Sequence, residues 1–216
     1  MADLKTMREY STVEEPAFSE IVIKKSRFIG QIYPAKSFEE AGELILASKK
    51  KYWDAGHGCT AMIFGLDRSL MRCSDAGEPQ GTAGVPMLEV LKGSGLTNLL
   101  MISTRYFGGT LLGTGGLVRA YTQSVQETLK NAEIITYRPV EVYRLVIPFR
   151  MLGKVDAYLK GEGIFIDDLD YADNVSMTLR MRAEQEDKFL KMIAEVSAGK
   201  IIPEKREPEF IRLAGK

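Results

Sequence analysis

Residues 104–121 read TRYFGGTLLGTGGLVRAY, with five glycines in eighteen positions and an arginine near each end, Arg105 and Arg119. An apolar run, NLLMIST (98–104), leads into this stretch. Past it, from about Gly115 to Lys130, Leu117, Val118, Tyr121, Val125 and Leu129 share one arc at helical spacing. A continuous apolar run of that length is a strand covered on both faces or a buried helical segment. The order is therefore strand, glycine loop, helix. Glycines in such a loop either let the backbone approach a ligand or let a turn and a helix pack closely. On motif alone the packing reading carries more weight. Gly108 and Gly113 have the gap of a Walker A loop, but Thr114 follows where a lysine is required. The glycines are also misplaced for a dinucleotide fingerprint.

The chain divides near Arg138 into two halves with different patterns, 1–138 and 139–216. In the first, SEIVIKKSRFIGQIYPA reads as one or two extended segments ending at Pro34. Ser37 and Glu40 form a capping-box pattern, and a helix with lysines in its last turn follows. HGCTAMIFGL is a strand with SLMRCS as its hairpin partner. A short helix then carries Val85, Leu88 and Leu91 as its apolar stripe, with Pro86 in the first turn and Gly93 and Gly95 at the end. In the second half, VEVYRLVIPF alternates Tyr143, Leu145, Ile147 and Phe149 on one face, a helix follows with Leu152, Val155 and Leu159, and GIFIDDLDY and NVSMTLRM are strands. A second helix aligns Phe189, Ile193 and Val196, and KIIP (200–203) is a last strand. This β-α-β-β-α-β order is the ferredoxin-like plan. The tail EKREPEFIRLAGK reads as loosely held.

Several residue clusters bear on chemistry. A helix start presents unpaired N–H groups and attracts anions, and glycine-rich helix starts occur at Gly81–Gly84 and Gly113–Gly116. Arg105 ends a strand expected at the sheet's centre, and Arg119 lies off the apolar arc of the following helix, so the two could clamp a phosphate. Asp75 and Glu78 are two carboxylates near glycines, suited to holding Mg²⁺ or to acid–base work, although a turn residue and a helix-start anion are the simpler roles. His57 and Cys59 are two apart, hence on one face of a strand, where a dyad is geometrically allowed and a hydrogen-bonded histidine is the plainer reading. Arg180 and Arg182 share the polar face of a strand with Ser176 and Thr178. One His and two Cys fall short of a four-ligand zinc site, so no metal and no cofactor is expected.

The segments KKSRFIG, HGC, DAGEPQGTAGVPMLEVL and TRYFGGTLLGTGGLVRAY resemble, in order and spacing over about residues 19–130, the signature segments of the YigZ/IMPACT family. The second half is similar to that family's bacterial C-terminal domain, which resembles a ferredoxin-like domain of elongation factor G. The resemblance implies an α+β chain: a ribosomal-protein/RNase PH-like first domain over 1–138 and a ferredoxin-like βαββαβ domain over 139–216. Eukaryotic relatives regulate translation through an activator of a kinase acting on an initiation factor. Asp75, Glu78, Gly81, Thr82, Gly84, Arg105, Tyr106, Gly108, Gly109, Gly113, Gly116 and Arg119 match the family pattern. Ala76 stands where the family has a second Asp, and Gly58 where it has Asn.

Lysine plus arginine equals aspartate plus glutamate, 29 each, so the chain has no global attraction for nucleic acid or anionic membrane. No apolar run spans a bilayer, and the N-terminal segment has no apolar signal core, which predicts a cytoplasmic protein without membrane contact. Two functional classes follow. The first is a cytosolic binding protein, a regulator of translation that contacts RNA, the ribosome or a phosphate-bearing ligand. The second is an enzyme acting on a phosphorylated small molecule or nucleotide through the glycine loops. The binding protein is the reading the residues favour; oligomeric state is not readable from the sequence.

Overall fold

A computed structural model describes residues 8–213; the first seven residues of the N-terminal segment and the last three of the tail lie outside the described residues. These residues fall into two units, Tyr10–Thr136 and the chain from Tyr137 onward, with Glu9 joining the latter.

In the first unit, β2 (Ala17–Ile23) and β3 (Ser26–Pro34) are joined by Lys24 and Lys25, both at positive φ, 46° and 68°. Two central residues in that region give the primed turn whose twist matches paired strands. Helix α1 (Phe38–Lys51) follows; the Ser37 side chain accepts from the Glu40 N–H and Glu40 accepts from the Lys36 N–H. Then come β4 (His57–Phe64), β5 (Leu70–Ser74), α2 (Gly84–Ser94), β6 (Leu99–Tyr106) and α3 (Thr114–Lys130). The sheet order is β2-β3-β6-β4-β5, with every pair antiparallel. Strand β6 is central, as its apolar run requires. Leu99 and Met101 enter a core with Met87, Leu91, Tyr121 and Val125 from α2 and α3, while Leu100 and Ile102 enter a second core under α1 with Met62 and Phe64. The buried face of α2 differs from the sequence reading. Leu91 is buried and Leu88 packs half-buried against the core, but Val85 is 48% exposed and Met87 is buried in its place, with Gly84 packed against the Ser74 backbone at the helix start.

Strand β1 (Tyr10–Val13) pairs with β7 (Ile134–Ile147). The second unit continues with α4 (Phe149–Gly161), β8 (Phe165–Tyr171), β9 (Val175–Met181) and α5 (Ala183–Ser197). Tyr143, Leu145 and Ile147 pack with Val155, Leu159, Leu179, Phe189 and Ile193, but Phe149 begins α4 and is exposed rather than extending the strand face. KIIP is not the last strand. The closing strands are β10 (Glu204–Lys205) and β11 (Glu209–Arg212), both antiparallel to β7. The tail through residue 213 is thus held rather than loose: Arg180 pairs with Glu209, and Lys205 with Glu141 and Glu186. With β7 flanked by these strands on one side and by β9 then β8 on the other, the unit has the ferredoxin-like order. The chain is α+β throughout, an α+β N-terminal domain followed by a ferredoxin-like one. Among the described residues no helix is long and apolar enough to cross a membrane.

Candidate functional site

At one end of the first sheet, register sets Phe28, Arg105 and His57 side by side across β3, β6 and β4. Arg105 is 6% exposed. Its Nη1 donates to both oxygens of Glu78, at 2.8 and 3.1 Å, and its Nη2 donates to the Ser26 hydroxyl at 3.3 Å. The Tyr121 hydroxyl, from α3, donates to Glu78 Oε1 at 2.6 Å. His57 Nε2 lies 4.0 Å from Glu78 Oε2, and its Nδ1 is 3.0 Å from the Ala76 carbonyl. The guanidinium also faces the rings of Phe28 and Phe107, each at 5.6 Å. Burial pushes the Tyr121 hydroxyl pKa far up, so it stays protonated and serves Glu78 as a donor. Cys59 is fully buried, its thiol donating to the Asp75 carbonyl at 3.0 Å, and burial raises it to about 12. A thiol so placed is not a nucleophile at neutral pH. His57 and Cys59 share a sheet face yet contact the 75–78 loop separately and form no dyad.

That loop leads into α2. Asp75 accepts hydrogen bonds from the backbone N–H groups of Gly81, Ala83 and Gly84, at 2.8, 3.0 and 2.8 Å. Burial raises its carboxyl, but the three donors outweigh that and hold it below the usual carboxylate range. The anion expected at this helix start is therefore the chain's own carboxylate. Gly81 has φ 75°, and the Thr82 hydroxyl donates to the Pro79 carbonyl at 2.7 Å. At Gly84 a Cβ would sit 2.9 Å from backbone atoms of Ser74, so this glycine exists for close packing.

The glycine stretch divides by role. A Cβ on Gly108 would lie 2.0 Å from the Lys25 carbonyl carbon, and the Gly108 N–H donates to the Ser26 hydroxyl at 3.2 Å. Gly109 and Gly113 have positive φ, 80° and 71°, and a Cβ on Gly116 would meet Leu112 at 3.1 Å. Tyr106 donates to Asp54 at 2.7 Å and carries Arg27 over its ring. Arg119 is exposed on α3. The structure thus joins Glu78 and Arg105 in one network with Tyr121, ties Asp75 separately to the amides at the start of α2, leaves Arg119 outside both, and does not form the two-arginine clamp; Arg105 is committed to Glu78. In the second unit Arg180 is ion-paired with Asp167 and Glu209, and Arg182 lies beyond β9 as the N-cap of α5, not on the strand's polar face.

One feature escaped the sequence reading. On the α1 face of the sheet, past the helix's C-terminal end, lies an open cavity of about 450 Å³. Its floor includes Gly58, Ile102 and Thr104; Ser48, Lys49, Tyr52 and Trp53 line it from the α1 side. Trp53 is 82% exposed. Its trace in the sequence is the segment KKKYW, whose lysines the helix dipole accounts for and whose two aromatics it does not.

Fold and site together define a two-domain α+β protein with an antiparallel five-stranded domain, a closed Glu–Arg–Tyr network and a ferredoxin-like second domain. Residues 24–129 match the Impact N-terminal domain, and residues 145–200 match a domain of unknown function, DUF1949. The chain belongs to the IMPACT family. It is 37% identical to IMPACT family member YvyE of Bacillus subtilis (strain 168) over 90% of this chain and 89% of that protein. It is 35% identical to IMPACT family member YigZ of Escherichia coli (strain K12), over 83% of this chain and 89% of that one. A crystal structure described as that of a hypothetical protein superposes with a TM-score of 0.62 at 32% identity, covering 93% of this chain and 98% of the other.

Proposed function

We propose that this protein is a cytoplasmic, non-enzymatic binding protein that acts on translation by contacting RNA through its first domain. What supports this is a contrast within that domain. The carboxylates and the thiol an acid–base mechanism would use are already engaged: Asp75 by three amides, Glu78 by Arg105 and Tyr121, Cys59 by burial and its bond to the Asp75 carbonyl. The cations Lys24, Lys25, Lys49, Lys50 and Arg119 are exposed, and none forms an ion pair among the described residues. Unpaired surface cations beside exposed aromatics such as Trp53 and Phe107 are the equipment of backbone and base contact. The ferredoxin-like sheet contributes less, since Arg180 is neutralised by two carboxylates.

The test is ribosome co-sedimentation together with binding of labelled single-stranded RNA, at about 50 and about 200 mM salt. Binding should weaken steeply with salt, and the Lys24→Glu/Lys25→Glu variant should weaken it further. Absence from ribosomal fractions at both salt levels, with no RNA binding, defeats the reading.

A further inference from the structure

The cavity at the C-terminal end of α1 does more than expose surface. Its volume, about 450 Å³, lies in the range of small-ligand sites. Trp53 stands largely in solvent beside it, an arrangement that costs a large apolar ring its burial and offers a stacking platform. The floor is polar in one place. Thr104, buried, accepts from Gln31 at 3.3 Å, and its hydroxyl retains a proton to donate. Lys49, at the rim, is exposed and forms no ion pair among the described residues. Gly58, opposite Thr104 in the β4–β6 register, leaves the space open, since a Cβ there would meet nothing within 4 Å and its φ is not positive.

A flat ring, a hydroxyl donor on the floor and a free ammonium at the rim together fit a nucleotide: a base that stacks, with a polar edge and a phosphate. We propose that this cavity binds one nucleotide, its base on Trp53, its polar edge toward Thr104 and its phosphate toward Lys49. The occupant is either a free mononucleotide or an unstacked nucleotide of single-stranded RNA. This goes beyond the RNA-binding reading, which rests on surface cations and exposed aromatics and requires no pocket.

Trp53 is the chain's single tryptophan, so its fluorescence reports on the cavity. The full chain is titrated at low salt with AMP, GMP, CMP, UMP and ribose 5-phosphate, up to about 5 mM to reach the millimolar affinity class. Oligo(A) and oligo(U) of about six bases, end-labelled for anisotropy, form a second arm. At least one base-containing probe should quench Trp53 saturably, and ribose 5-phosphate should not. Gly58→Asn, which places a side chain in the open space, should weaken that binding about tenfold or more without lowering the melting temperature. Because Trp53 is exposed, Trp53→Ala should fold, and where oligonucleotides are the occupant it should weaken their anisotropy by a similar factor. Quenching by mononucleotides assigns the site to free nucleotides; quenching by oligonucleotides alone assigns it to RNA. No saturable quenching by any probe, or quenching that Gly58→Asn leaves unchanged, overturns the proposal. If oligonucleotides still bind by anisotropy in that case, the RNA reading survives and only the pocket falls.

Discussion

Arg105 shows how one residue's burial decides its role. A guanidinium offered to an outside phosphate has to be reachable; this one is 6% exposed and held by Glu78. Removing one partner of a buried pair strands the other, which costs about 3–5 kcal/mol. Arg105→Ala should therefore lower the melting temperature sharply. Arg105→Met combined with Glu78→Leu and Tyr121→Phe, which leaves no orphaned polar group, should recover most of the loss. A melting temperature unmoved by Arg105→Ala would show the pair to be dispensable. Asp75 yields a prediction in pH. Its folded pKa is depressed, so its contribution is complete above the unfolded value, about 3.9, and is lost as pH falls through the lower folded value. Asp75→Asn presents an amide donor to one of three N–H groups and should cost about 1–2 kcal/mol at pH 7. The deficit against wild type should shrink in denaturant melts below about pH 4.

At the scale of elements, the glycines of the loop and of α3 separate cleanly. Gly108→Ala drives a methyl into the backbone of the β2–β3 turn and should destabilise by about 1–3 kcal/mol or more. Gly115→Ala meets nothing within 4 Å in a helical conformation and should stabilise by a few tenths to about 1 kcal/mol. Equal effects in urea unfolding would contradict this division. Sequence reading located α1, its cap, the central β6 and the ferredoxin-like order because periodicity and capping are local signals. It misplaced the last strand and freed the tail, since Glu204–Lys205 and Glu209–Arg212 are strands only by virtue of β7, some sixty or more residues earlier. It gathered Asp75, Glu78 and Arg105 as candidates, yet the pairing of Glu78 with Arg105 and Tyr121 was invisible, because the partners come from the loop before α2, from β6 and from α3. The cavity left only the KKKYW aromatics as a trace, because its walls come from α1, β4 and β6 and its space is kept open by a missing side chain at Gly58.

For the molecule as a whole, the held tail predicts that the C-terminal residues are structural. Ending the chain before Glu204 removes the strands beside β7, takes Lys205 away from Glu141 and Glu186, and leaves Arg180 with Asp167 alone. Hydrogen exchange at β9 should quicken and the shortened chain should aggregate, because an unpaired strand edge recruits other chains. Unchanged exchange would show the tail to be an accessory. The turn between β2 and β3 has a wider consequence. Lysines held in the left-handed region are less comfortable there than Asn and Gly would be. If heat tolerance were the only pressure on this lineage, positions 24 and 25 are where drift would be quickest. A directed-evolution campaign scored on thermal survival alone would soon discard both ammonium groups, and with them the salt-dependent RNA contact proposed for this domain.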